Sequence, residues 1–114
     1  MLSDHSPVAM RVNFTFDSDV VTPMAQRTLE HLSSGLAEAE QKLIVEGHTD
    51  ATGTEEYNQG LGFRRADQTA KVLKEEGLPS QNLTIKSLGE TQPIATNHNK
   101  QGRALNRRAD VVIE

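Results

Sequence analysis

The chain has 114 residues, 35% of them apolar, carries a formal net charge of −4 and contains no cysteine. That length holds one domain with a modest core. The missing cysteine excludes disulfides, thiolate nucleophiles and cysteine-ligated zinc, and the acidic balance removes the broad positive footprint of a nucleic-acid binder.

In chain order, residues 1–11 are polar and include Pro7, so they read as a linker or chain end, with the domain expected over residues 12–114. Val12-Asn13-Phe14-Thr15-Phe16 alternates apolar and polar and is predicted as a half-buried strand ended by Asp17, Ser18 and Asp19. Thr22-Pro23 is a helix N-cap followed by proline at the first helical position. Leu29, Leu32, Leu36 and Ala39 then recur at steps of three and four, predicting an amphipathic helix to about Glu40. Leu43-Ile44-Val45 is a short apolar run suited to a central strand covered on both faces.

A Gly-bounded loop follows, Gly47-His48-Thr49-Asp50 with Gly53, closed by Thr54 as the N-cap of a second helix whose first turn holds Glu55 and Glu56. Tyr57, Leu61, Ala66, Ala70 and Leu73 form its predicted buried stripe, Gly77 and Pro79 stop it, and Gly60 and Gly62 suggest a break inside it. Leu83 to Leu88 and Ala109 to Ile113 are further strands, with a short helix expected around Gln101 to Asn106. Strands alternating with helices predict an α+β fold, an α/β sandwich in which two main helices pack on a sheet of about four strands.

No apolar run approaches the roughly 20 residues of a membrane helix, and Met1 to Met10 lack the apolar segment of a secretory signal. The expectation is a cytoplasmic protein or a fragment whose targeting segment lies outside it. His31, His48 and His98 do not form a metal-binding spacing, so neither a metal nor a cofactor is expected. No nucleophile-elbow serine or phosphate-binding loop occurs, which argues against an enzyme.

The loop does bring a carboxylate, Asp50, fifteen residues before a guanidinium, Arg65, with Thr49 and Asn58 as small donors. One acid beside one forked guanidinium matches the ammonium and carboxylate of a free amino-acid end. The alternative is a plain Asp50–Arg65 ion pair, and on the residues alone that commoner arrangement outweighs the receptor.

These motifs resemble the OmpA-like peptidoglycan-binding domain, shared by outer-membrane porin tails, peptidoglycan-associated lipoproteins and flagellar stator proteins. The resemblance runs from about Val12 to Glu114: Phe14-Thr15-Phe16-Asp17, then Val45 to Asp50 with Gly53, then Asn58 to Ala66. Leu88-Gly89-Glu90, Pro93-Ile94, Asn97, Gly102-Arg103-Ala104 and Asn106-Arg107-Arg108 complete it. It implies a β-α-β-α-β-β fold with a mixed sheet, and non-covalent binding of the peptidoglycan stem peptide through meso-diaminopimelate.

The family's diaminopimelate-binding acid and arginine fall on Asp50 and Arg65. Asp17, Thr49, Asn58 and Leu61 match pocket positions, and Arg107 matches an arginine of the closing motif. The implied location is periplasmic, as a domain of a protein anchored in the outer or inner membrane. Membrane contact would come only through segments absent from this chain, and no nucleic acid is an expected partner.

Gly62 departs from the family's usual serine, and the change is expected either to remove a hydrogen bond near the pocket or to permit a closer backbone approach. That departure keeps open an alternative, an envelope protein-interaction or assembly domain that has lost wall binding. A wall amidase or muramidase is a third and weaker reading.

Overall fold

Thr22 and Thr54 both have extended backbone, and their side-chain oxygens accept from the amides of Ala25 at 3.2 Å and Tyr57 at 3.1 Å. Each satisfies an amide that the first helical turn would otherwise leave unpaired. These caps begin α1 (Pro23–Glu38) and α2 (Glu55–Glu75) in a computed structural model that describes residues 7–114.

Four strands, β1 (Val8–Asn13), β2 (Leu43–His48), β3 (Leu83–Gly89) and β4 (Arg108–Ile113), form one sheet in the order β1-β4-β2-β3. Strand β4 is antiparallel to both neighbours, whereas β2 and β3 are parallel and joined through α2. A short helix, α3 (Lys100–Asn106), lies between β3 and β4 as expected, and an unforeseen 3-10 turn, Ser80–Asn82, leads into β3.

Period-two alternation divides the sheet. Val12, Leu43, Val45, Ala109 and Val111 join Leu29 of α1 and Ala66, Ala70 and Leu73 of α2 in the core. The other face carries a charged row across all four strands, because Arg11 is opposite Asp110, Asp110 opposite Glu46, and Glu46 opposite Lys86. Arg11 Nε lies 2.7 Å and Arg108 Nε 3.2 Å from Asp110, and Lys86 lies 3.9 Å from Glu46.

Four expectations need correction, the last of them in α2. The first strand spans Val8–Asn13 and not Val12 to Phe16, so residues 8–11 belong to the sheet and not to a linker; residues 1–6 lie outside the described residues. It ends early because the carbonyls of Phe14 and Thr15 accept from Arg107 and Arg65, and Asp17 turns the chain with φ 54°. Helix α1 stops at Glu38, just before Glu40 adopts φ 53°, and Ala39 is exposed. In α2 Tyr57 is exposed and not buried.

Helix α2 also runs unbroken through Gly60 and Gly62. A Cβ at Gly47 of β2 would lie 1.6 Å from the Gly62 carbonyl oxygen, and one at Gly62 would lie 2.4 Å from Ser87 Oγ and 2.9 Å from the Gly47 oxygen. The helix therefore rests on the sheet backbone to backbone, and that contact offsets the helical cost of glycine, about 1 kcal/mol. Gly47→Ala should lower stability by about 3 kcal/mol or more, since backbone on both sides cannot yield. Urea unfolding checks this, and a change below about 1 kcal/mol would contradict the close contact.

Candidate functional site

At the sheet end where β1 and β2 finish and β4 begins, a cavity of about 350 Å³ opens between the β1–α1 turn, the β2–α2 loop and the first turns of α2. Asp17, Thr49, Asp50, Leu61, Arg65 and Arg107 all line it. Of the seven residues expected at the site, only Asn58 is outside the lining. It is buried beneath the loop, its Nδ2 donating to Thr52 O at 3.0 Å, Asp50 O at 3.3 Å and Glu90 Oε1 at 2.8 Å, so it braces the loop from behind.

Asp50 is held by its own loop: Oδ1 accepts from Thr52 N at 2.9 Å, and Thr49 Oγ1 donates to Asp50 O at 2.8 Å. Its ionic partner is Arg107, whose Nη1 stands 3.4 Å from Oδ2. The simple Asp50–Arg65 ion pair is thus not what forms. Arg65 is only 1% exposed and donates to three backbone carbonyls: Nε to Ser18 at 2.8 Å, Nη1 to His48 at 3.0 Å and Nη2 to Thr15 at 3.2 Å. Its guanidinium also lies 5.3 Å from the Phe14 ring centre.

Burial lowers the Arg65 pKa to about 10, with Asp50 pulling it back up and Arg107 pushing it further down. It therefore stays charged at neutral pH. Carbonyl dipoles satisfy this buried cation without neutralising it, so a full positive charge stands at the cavity wall.

Four lining residues were missed from the sequence: Phe16, Thr52, Gly53 and Tyr57. Phe16 is 64% and Tyr57 46% exposed, and the Tyr57 hydroxyl donates to Asp17. The signal available was that the chain has only 4 aromatic residues and two flank the acidic motifs. Gly62, by contrast, faces the sheet and not the cavity. The space a side chain there would take is held by the Ser87 hydroxyl, which donates to Gln59 O at 2.7 Å.

The segment after β3 is pinned by Asn106. Its Oδ1 accepts from Ile94 N and Ala95 N at 2.8 and 3.0 Å, and its Nδ2 donates to Ala95 O and Asn97 Oδ1 at 2.9 and 2.8 Å. Asn97 Oδ1 also accepts from Ala51 N at 3.3 Å, tying α3 to the Asp50 loop. Among the described residues no group of three acidic, histidine or cysteine side chains could hold a metal, and no helix is long and apolar enough to cross a membrane.

His48, the last residue of β2, points to the charged face of the sheet and not into the cavity. Both ring nitrogens are buried without a hydrogen-bond partner, and Nε2 is 3.8 Å from Asp110 Oδ2. Burial lowers its pKa to about 4; Arg108 and Arg11 lower it further and Asp110 opposes them.

The unfolded chain, with an ordinary histidine near 6.5, binds the proton first, so this contribution to stability is complete above about pH 6.5 and falls as pH drops toward 4. The loss across that window is roughly 3 kcal/mol. Urea midpoints from pH 7 to 4 should fall less steeply in His48→Gln, and parallel profiles would contradict a neutral buried imidazole. Arg65→Lys keeps a charge but cannot reach three carbonyls, and should cost about 3 kcal/mol in thermal or urea unfolding. Wild-type stability in that variant would remove the clamp.

The sequence matches the model of the OmpA family over residues 13–107. It is 39% identical over 98 residues to the peptidoglycan-associated lipoprotein of Pseudomonas aeruginosa, covering 86% of this chain and 58% of that protein. Against outer membrane porin F of Pseudomonas fluorescens it is 37% identical over 108 residues, 94% of this chain and 33% of that protein. The chain thus spans between a third and about two thirds of the length of the curated relatives it matches.

Its fold is similar to the crystal structure of the peptidoglycan-associated lipoprotein from Burkholderia pseudomallei, with a TM-score of 0.87, 34% identity, and 91% of this chain and 89% of that one covered. It is also similar to the cell wall anchor of the T6SS from Pseudomonas aeruginosa, with a TM-score of 0.78, 27% identity, and 90% and 78% coverage. Fold, ordered motifs and family match agree, and the chain belongs to the OmpA family.

Proposed function

We propose that the cavity binds the peptidoglycan stem peptide non-covalently through the free amino-acid end of meso-diaminopimelate, so that the domain tethers an envelope protein to the cell wall in the periplasm. The observation that carries this reading is the Asp50 carboxylate set beside two guanidinium groups, Arg65 and Arg107, in a single recess whose other acid, Asp17, is engaged by the Tyr57 hydroxyl. An amino-acid end needs one acceptor for its ammonium and a cationic fork for its carboxylate. Relatives named as a peptidoglycan-associated lipoprotein and a cell wall anchor support the same ligand class.

The ligand ammonium takes the Asp50 carboxylate. The Asp50–Arg107 contact, at 3.4 Å, is longer than a good charged hydrogen bond and yields readily. The ligand carboxylate takes the Arg65 N–H groups that the backbone leaves free, one on each terminal nitrogen, together with the released Arg107. Phe16, Tyr57 and Leu61 cover the methylene chain. The chemistry is binding without turnover.

Calorimetric titration with L-Ala-γ-D-Glu-meso-diaminopimelyl-D-Ala should give saturable heat that weakens as salt is raised. Asp50→Asn keeps an acceptor for the Thr52 amide but removes the charge, and should weaken binding about 10- to 100-fold with little loss of thermal stability. No heat from the wild type, or equal affinity in Asp50→Asn, would overturn the assignment. Retention on insoluble sacculi separates wall binding from an assembly domain that has lost it.

A further inference from the structure

Beside the first cavity lies a second recess of about 410 Å³, lined by Phe16, Thr52, Lys100, Arg103 and Arg107. It shares Phe16, Thr52 and Arg107 with the first, so the two are continuous along one wall. Three of its five lining residues are cations and none is acidic, in a chain of net charge −4.

Two of these cations, Lys100 and Arg103, have no acidic partner among the described residues, and the third, Arg107, meets Asp50 at 3.4 Å on the side of the first cavity. Arg103 donates Nη1 to Asn97 O at 2.9 Å, which orients the guanidinium without cancelling its charge. Lys100 is exposed and has no ion pair among the described residues. Gly102 lets α3 sit against the preceding strand of loop, since a Cβ there would lie 1.8 Å from Thr96 O. That contact and the Asn106 bonds fix α3 where Lys100 and Arg103 face the recess.

We infer that this second recess is a carboxylate subsite, which takes a second anionic group of the same stem peptide while the diaminopimelate end occupies the first. The inference rests on the binding reading above. A stem peptide offers two such groups, the terminal α-carboxylate and the α-carboxylate of its γ-linked glutamate, and both present the same chemistry to Lys100 and Arg103. Arg107, released from Asp50 on ligand entry, serves both recesses. The domain then prefers stems whose neighbouring carboxylate is free over stems in which it is amidated or consumed by cross-linking.

The test is calorimetric titration of three tetrapeptides: the parent, its C-terminal amide, and its glutamate α-amide, each with the diaminopimelate end intact. One of the two amides should bind the wild type about fivefold more weakly than the parent, and that one identifies the carboxylate seated in the recess. In Lys100→Gln the parent should weaken by a similar factor and the gap between parent and amide should shrink. Lys100 is exposed, so this variant folds as the wild type does. Equal affinity for all three peptides, or an undiminished gap in Lys100→Gln, would overturn the subsite while leaving the diaminopimelate reading intact. Failure of the parent to bind would overturn both.

Discussion

The fold and its recess depend on a buried guanidinium solvated by backbone. Arg65 reaches from the middle of α2 to the carbonyls of Thr15 and Ser18 in one turn and of His48 at the end of β2. A side chain with a rigid donor fork is well suited to join three separate chain segments at a single point, and its charge makes each bond stronger than its neutral counterpart. The same bonds that close the domain hold a cation at the wall of the cavity.

Electrostatics are divided between the two surfaces of the sheet end. In the cavity, acid and base are left weakly coupled, with Asp50 and Arg107 at 3.4 Å. On the far face of the sheet they are tightly coupled: Asp110 is gripped by Arg11 and Arg108, and the Asp110 bond raises the pKa of Arg11. Short satisfied pairs hold geometry, whereas a long contact costs little to exchange for a ligand. The imidazole of His48, on the same charged face as Asp110, is buried and neutral at pH 7.

Local chemistry was legible in the sequence where one residue determines it. Thr22-Pro23 and Thr54 announce their helices, and Gly77 with Pro79 closes the second, because caps and breakers act within a few residues. Asp50 and Arg65 could be paired by type and spacing, and the family resemblance placed them in one pocket.

What remained hidden was decided by groups distant in sequence. Strand β1 leaves the sheet at Asn13 because guanidinium groups from positions 65 and 107 claim the next carbonyls, which no window of five residues can reveal. Glycines that look like a helix break at 60 and 62 become a docking surface only when Gly47 arrives opposite. Asn58 has the composition of a pocket donor, yet Thr52 and Glu90 take its amide first.

The pairing of β1 with β4 has a mechanical consequence. The Ile113 amide donates to Pro7 O at 2.9 Å, whereas the recess sits beyond Asn13 and Arg108 at the other end of the same two strands. A load applied between residue 7 and the Arg108 end would run lengthwise along that pair. Inter-strand bonds perpendicular to such a pull are loaded in shear, all at once, and do not peel apart singly. The β1–β4 pair is thereby strongest against a load applied along its own length.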